Sequence, residues 1–293
     1  MLGKVEQARR GPGQGRAVMV TGCSTGIGRA VALHLAARGF TVLPTVRRLE
    51  DAEDLSRSGP GIFPICPLDL SNPQQVAEAA RKVTTVLEEQ HLPGLYALVN
   101  NAGGGAIAPL ELLDVAILRR ELETRVVGPL ALLQALLPAV RAARGRVLWI
   151  VTPGLLPIPF VGSIHVCDFA VNCLARTLRL ELRPWSIPAI LVRCGGIKTP
   201  AVSRTARQLE QSLREWPAER AQLYAAGLRH ELEQLAEFDR KRSEPEVVAA
   251  TVFRALIAKR PRSRYTVGFM ARTAALAELL PQVAVDKIMA WRG

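Results

Sequence analysis

The chain has 293 residues, 49% hydrophobic and 22% charged, with a net charge of +12 and no repeat or low-complexity block, which suits one large α/β core better than several small domains. The positive charge does not read as a nucleic-acid surface: lysine occurs six times, arginine is spread along the whole chain, and aromatics are 5%, without basic–aromatic interleaving. Five scattered cysteines (Cys23, Cys66, Cys167, Cys173, Cys194), with no CxxC pair and no metal-ligand spacing, argue against disulfides and a metal site and for a reducing compartment.

The opening MLGKVEQARRGPGQGR has no secretory apolar segment. Residues 1–16 are therefore read as a flexible lead-in and 17–293 as one cytoplasmic domain, with mitochondrial targeting as the alternative. From residue 17, short apolar β-rich runs alternate with helical periods, the pattern of parallel βαβ units. Strands are expected at 17–21, 40–46, 61–68, 95–100, 146–151, 188–193 and 264–268, and seven strands fit a single, mainly parallel, doubly wound sheet. Helices are expected at 27–38, 73–90, 113–141, 164–183 and 245–259, the last opening with a capping box of Ser243 and Glu246 and with Pro245 in its first turn. Residues 201–240 are charged and helical, with leucines at mixed three- and four-residue spacings after a strand end, which suits a helical lid. The longest apolar run, 128–140, is too short for a bilayer and contains Pro138, so no membrane span is expected.

The first strand runs straight into TGCSTGIG (21–28) and then a helix. Gly22 suits the tight turn, Gly26 the close backbone approach to a pyrophosphate, and Gly28 the packing of helix on strand. The helix N-terminus offers free N–H groups and a positive dipole end to phosphates.

This TGxxxGxG spacing resembles the short-chain dehydrogenase/reductase family, over roughly residues 17–200. The segment PRSRYTVGFMARTAALAELLP from 261 is similar to the C-terminal part of steroid- and retinol-type members. The resemblance implies a Rossmann-type fold and a dinucleotide held by Gly22, Ser24, Gly26, Ile27 and Gly28, with Asp69 on the adenine. It also implies Asn101, Ala102 and Gly103 of the NNAG motif beside the cofactor, and Thr199 at the nicotinamide carboxamide. The second strand ends in Arg47 and Arg48 where an acidic residue would favour NAD. Either arginine, with Ser24, could grip a 2′-phosphate, so NADP(H) is expected, with NAD(H) as the alternative.

The family's proton chemistry uses a tyrosine, a lysine four residues later, a serine and an asparagine. Aligned on the helix FAVNCLARTLRLEL, the tyrosine position is Ile164, the lysine position Asp168 and the asparagine position Arg125. The serine position falls near Thr152, one residue closer to the helix than usual. Ile164 cannot move a proton, and His165, thirteen residues after Thr152, needs a shifted helix to replace it. Thr152 and His165 are the candidate catalytic residues for an altered mechanism. The opposite charges now at 125 and 168 suggest an ion pair, since an isolated buried charge is costly; Asp168 could instead accept from the nicotinamide ribose hydroxyls. The expected protein is an NADP(H)-binding family member with silent or altered chemistry. Its expected partners are the dinucleotide, a small lipophilic steroid- or retinoid-class ligand and, through 128–140, a second copy or another protein.

Overall fold

The computed structural model describes residues 11–153 and 156–290. Six parallel strands form one sheet in the order β2-β1-β3-β4-β5-β6: β1 Ala17–Val20, β2 Thr41–Pro44, β3 Leu95–Asn100, β4 Arg146–Val151, β5 Ala189–Cys194 and β6 Arg264–Val267. Every residue of β1 and β5 is buried, as expected where helices cover both faces of a parallel sheet. Because side chains alternate along a strand, Ala17 and Met19 feed one layer of the core and Val18 and Val20 the other.

The first layer packs α3 (Pro73–Glu89), α5 (Gly128–Ala142) and α6 (Gly162–Glu181) on the sheet through Val76, Val83, Leu132, Leu136, Val140, Val171 and Ala175. The second packs α1 (Gly26–Ala36), α2 (Leu49–Arg57) and α9 (Glu246–Ile257) through Val31, Leu35, Leu55, Val248, Val252 and Leu256. Asn72 starts α3 by accepting hydrogen bonds from Gln74 N and Gln75 N, with Pro73 in the first turn, where its missing N–H costs nothing. α4 (Val115–Leu122) runs through a π-helical turn, Glu123–Val127, into α5. The continuous rod 115–142 has the length and composition to cross a membrane, but Leu132, Leu133, Leu136 and Val140 commit its inner face to the main core.

The anticipated lid is two helices, α7 (Ala201–Glu215) and α8 (Ala218–Arg240). Leu209 and Leu228 pack with Ile107, Val161 and Ile164 into a third, small core separate from the other two. Tyr224 Oη donates to Glu111 Oε2 at 2.7 Å and ties α8 to the loop after β3. Two helices absent from the sequence reading, α10 (Ala271–Ala277) and α11 (Gln282–Ala290), follow β6.

Two expectations are corrected. The segment 61–68 is not a seventh strand; it meets the sheet edge through isolated bridges at Ile62 and Ile65 and a bond from Leu68 N to Val46 O, since Pro64 and Pro67 have no N–H to continue a ladder. Ser243 does not cap α9: Pro245 holds the N-cap position with no side-chain bond, while Ser243 pairs through its backbone with Gly196 and Lys198. Residues 1–10 of the anticipated flexible lead-in lie outside the described residues, and 11–16 are packed on the domain. Gly13 N donates to Arg38 O, and the Arg16 guanidinium lies 4.5 Å from the centre of the Tyr96 ring.

Candidate functional site

The strand order reverses between β1 and β3, and the space beyond the C-terminal ends of such strands is where doubly wound sheets hold ligands. A cavity of about 480 Å³ opens there, walled by Ile27, Asn100 to Gly105, Arg125, Ile164, Asp168 and Thr199 and roofed by lid residues including Val202, Leu235 and Asp239.

Beside it, and meeting it at Ile27, lies a cradle of backbone. Gly22 and Gly26 have φ of 70° and 59°, which side-chain-bearing residues seldom adopt. Gly28 needs its missing side chain for space: a Cβ there would stand 2.2 Å from Gly22 O and 2.6 Å from Asn101 Nδ2. The loop after β3 is laced to the same turn. Thr21 Oγ1 accepts from Asn101 N (2.9 Å) and Ala102 N (3.0 Å), and Asn101 Nδ2 donates to Thr21 O and Gly22 O. Thr25 at the start of α1 makes no capping bond, which leaves the first N–H groups of the helix for an anion. Thr199 stands across the loop, 3.1 Å from where a Gly26 Cβ would lie. The Asn100 amide is buried; it donates to Leu148 O, and its Oδ1 has no partner in the protein. A backbone cradle, a free helix end and an unpartnered polar atom in the cavity wall fit a dinucleotide.

Asp69, which the resemblance assigns to the adenine, accepts from Ser71 N and Ser71 Oγ. Partial burial opposes its ionisation, but these bonds outweigh it and hold the carboxyl below the usual range. The two candidate arginines separate here. Arg48 is committed to a two-bond pair with Asp51, whereas Arg47 is exposed and makes no ion pair among the described residues. Ser24 is half-buried.

The opposite wall carries three of the four positions expected for the proton chemistry, Arg125, Ile164 and Asp168. Arg125 forms an ion pair with Asp168, which is 2% exposed, and its second nitrogen donates to Gly104 O at 2.6 Å. The other Asp168 oxygen accepts from Thr152 N at 3.1 Å. The ion pair expected from the charge exchange is thus present, with both ends satisfied. Ile164 lines the cavity and belongs to the lid core. The candidate His165 does not reach the cavity; its Nδ1 is buried without a partner, and burial pushes its pKa down, with Arg125 adding to the shift against the opposing pull of Asp168. Thr152 also lies outside the cavity lining, with its hydroxyl buried and unpaired. Cys167 offers no substitute, since burial raises its thiol to about 11.

The run Gly103-Gly104-Gly105 was noticed in sequence only for its first residue. A Cβ on Gly103 would lie 3.2 Å from Arg125 Cδ, one on Gly104 3.2 Å from Glu121 Oε1, and one on Gly105 2.0 Å from Ile164 Cγ1. Each glycine therefore makes room for one side chain of the altered corner. Glu121 itself, missed in sequence, is a half-buried carboxylate whose pKa is raised by burial, against the opposing pull of Arg125 and the Gly104 N–H. Its spacing of four residues before Arg125 on one helix was the available signal. No group of three His, Cys, Asp or Glu side chains comes together to hold a metal ion among the described residues.

Residues 16–210 match the family model described as short chain dehydrogenase. Human retinol dehydrogenase 5 is 32% identical over 289 residues, covering 96% of this chain and 89% of that protein. Human 11-beta-hydroxysteroid dehydrogenase type 2 is 34% identical over 266 residues, covering 86% of this chain and 64% of that one. The crystal structure of a short-chain dehydrogenase from Burkholderia cenocepacia J2315 in complex with NADP superposes with a TM-score of 0.71 at 23% identity, over 94% of this chain and 98% of that one, and speaks to the fold. With the glycine cradle, the NNAG loop and the parallel sheet in their places, the chain belongs to the short-chain dehydrogenase/reductase family and is of its steroid/retinol type.

Proposed function

We propose that this protein binds NADP(H) in the cradle and no longer performs the family's carbonyl–alcohol chemistry at an appreciable rate. The observation that carries the proposal is the contrast within one cavity: the cradle is complete, while its opposite wall presents Ile164 and a closed Arg125–Asp168 pair. A bound nicotinamide dinucleotide would supply a hydride donor or acceptor. Gly22, Gly26 and the first turn of α1 would hold its pyrophosphate, Arg47 its 2′-phosphate, and Asn101 and Thr199 its nicotinamide end. At the replaced positions no cavity-wall group is suited to deliver a proton: Ile164 has none, and Asp168 has one oxygen on Arg125 and the other on Thr152 N; Asp239 in the roof is paired with Arg242. A positioned acid or base supplies about 10² to 10⁴ in rate, which is the loss expected here.

On this reading the protein acts as a dinucleotide-responsive binder of a lipophilic ligand in the cytoplasm, or as a partner for another chain. The outer face of the 115–142 rod, where Val115 and Val127 are exposed, is the surface proposed for a second copy. A second reading keeps turnover through an altered mechanism on a steroid- or retinoid-class carbonyl or alcohol. It is favoured by the unpaired Thr152 Oγ1 and His165 Nδ1, the second of which a small shift of the start of α6 would bring toward the ligand.

Titration with NADPH and NADH, read by nicotinamide fluorescence and thermal shift, tests the first reading; binding of neither would overturn it. A carbonyl and alcohol screen of wild type beside the Arg125→Asn/Ile164→Tyr/Asp168→Lys variant separates the two. Activity appearing only in the variant supports a silent site, whereas wild-type turnover that His165→Asn abolishes supports the altered mechanism.

A further inference from the structure

The corner between α10 and α11 exposes more large apolar side chains than any other stretch of comparable length among the described residues. Leu276 is 66%, Leu279 77% and Val283 67% exposed, with Leu280 and Ile288 also standing out of the surface. They are not the frayed end of a loose segment. Glu278, within the same stretch, turns inward to an ion pair with Arg193 at 2.6 Å, and the Arg193 side chain is 3% exposed. Ala271 and Val285 are buried on the inner side. The corner is therefore a fixed wedge, held by charge from within and apolar without.

Its surroundings decide what would cover it. Arg272 and Lys287 are exposed on the two helices that form the wedge, against one exposed acid, Asp286. A second copy pairing through the same face would bring these cations, and two chains of net charge +12, against one another, which like charge opposes. A negatively charged bilayer surface meets both properties, taking leucine side chains at the headgroup boundary and attracting the basic rim.

We propose that the α10–α11 corner is an interfacial docking surface for anionic phospholipid, lying on the membrane rather than crossing it. The corner abuts the root of the lid: Phe269, just before α10, packs on Phe238 of α8 with ring centres 5.3 Å apart. Docking there would bring the cavity roof close to the lipid surface.

The test is flotation of the full chain with large unilamellar vesicles of phosphatidylcholine and phosphatidylserine (3:1), beside vesicles of phosphatidylcholine alone. Wild type is expected to float with the mixed vesicles and to be released by high salt, since each basic residue at such a surface is worth about fivefold in binding. Leu276→Ser/Leu279→Ser/Leu280→Ser should lower binding by about a hundredfold or more. Arg272→Glu/Lys287→Glu, which leaves the apolar residues in place and guards against a folding failure of the first variant, should lower it by about thirtyfold or more. Absence of wild-type flotation, or flotation unchanged in the Arg272→Glu/Lys287→Glu variant, overturns the proposal. So does a halved mass in solution when the leucines are replaced, which would identify the face as a contact between copies. Dinucleotide binding is measured in parallel and is expected to be the same in all three proteins.

Discussion

The cradle at residues 21–28 and the corner around 164–168 face one cavity, yet they keep the family pattern to opposite degrees. The cradle is built from backbone: two glycines of positive φ, a free helix end, and an asparagine that bonds to carbonyls. Its parts also hold β1, α1 and the loop after β3 together, so they cannot change without disturbing the fold. The corner depended on side-chain functional groups, and these can be exchanged provided volume is filled and charge is paired. Ile164 fills volume and Arg125 pairs Asp168. On the proposed reading, phosphate binding and proton transfer therefore separate in this architecture.

The comparison breaks most sharply at the ion pair. Asp168→Ala leaves Arg125 largely buried without its partner, which is expected to cost about 3–5 kcal/mol and to lower the thermal midpoint by roughly 10 °C. Arg125→Met/Asp168→Leu should recover most of that loss in the same melt; if it does not, the pair is more than a charge-balanced filling. On the cradle side, Gly28→Ala drives a methyl into Gly22 O and Asn101 Nδ2. It should cost about 1–3 kcal/mol and abolish dinucleotide binding by fluorescence titration.

A finer distinction lies at the adenosine end. Arg47→Ala should weaken NADPH binding by about tenfold or more and leave NADH nearly unchanged, because a charged hydrogen bond is worth about 1.5–3 kcal/mol. Arg48→Ala should do much less, since Arg48 is already spent on Asp51. The smallest effect is a pH dependence. The folded chain holds the Glu121 proton more tightly than the ordinary glutamate value of 4.5. Wild type therefore loses stability as pH rises above 4.5 through the raised folded-state value. Glu121→Gln should match wild type in acid and exceed it at neutral pH in thermal melts; the opposite trend would mean that Glu121 is ionised and structurally favourable.

The parallel sheet and its helices were legible because long apolar runs and 3.6-residue periods report burial directly. The 61–68 segment misled because its apolar composition matches a strand while Pro64 and Pro67 prevent a ladder. α10 and α11 were missed because their apolar residues face outward, so no buried stripe announces them. In the site, the glycine loop, the NNAG segment and the 125–168 pair could be read as positions in a pattern. His165 could not be placed from spacing, because one residue of helix turns a side chain by about 100°, and it does not line the cavity. Gly104, Gly105 and Glu121 became visible only when the chain brought them against the altered corner.

Ile164 belongs at once to the cavity wall and to the small core that fastens the lid. A larger cavity cannot be made at this point without loosening the roof, and a tighter roof cannot be made without shrinking the room beneath it. For the lipophilic ligand proposed above, one branched side chain would therefore couple how bulky a guest is admitted to how long that guest dwells before release.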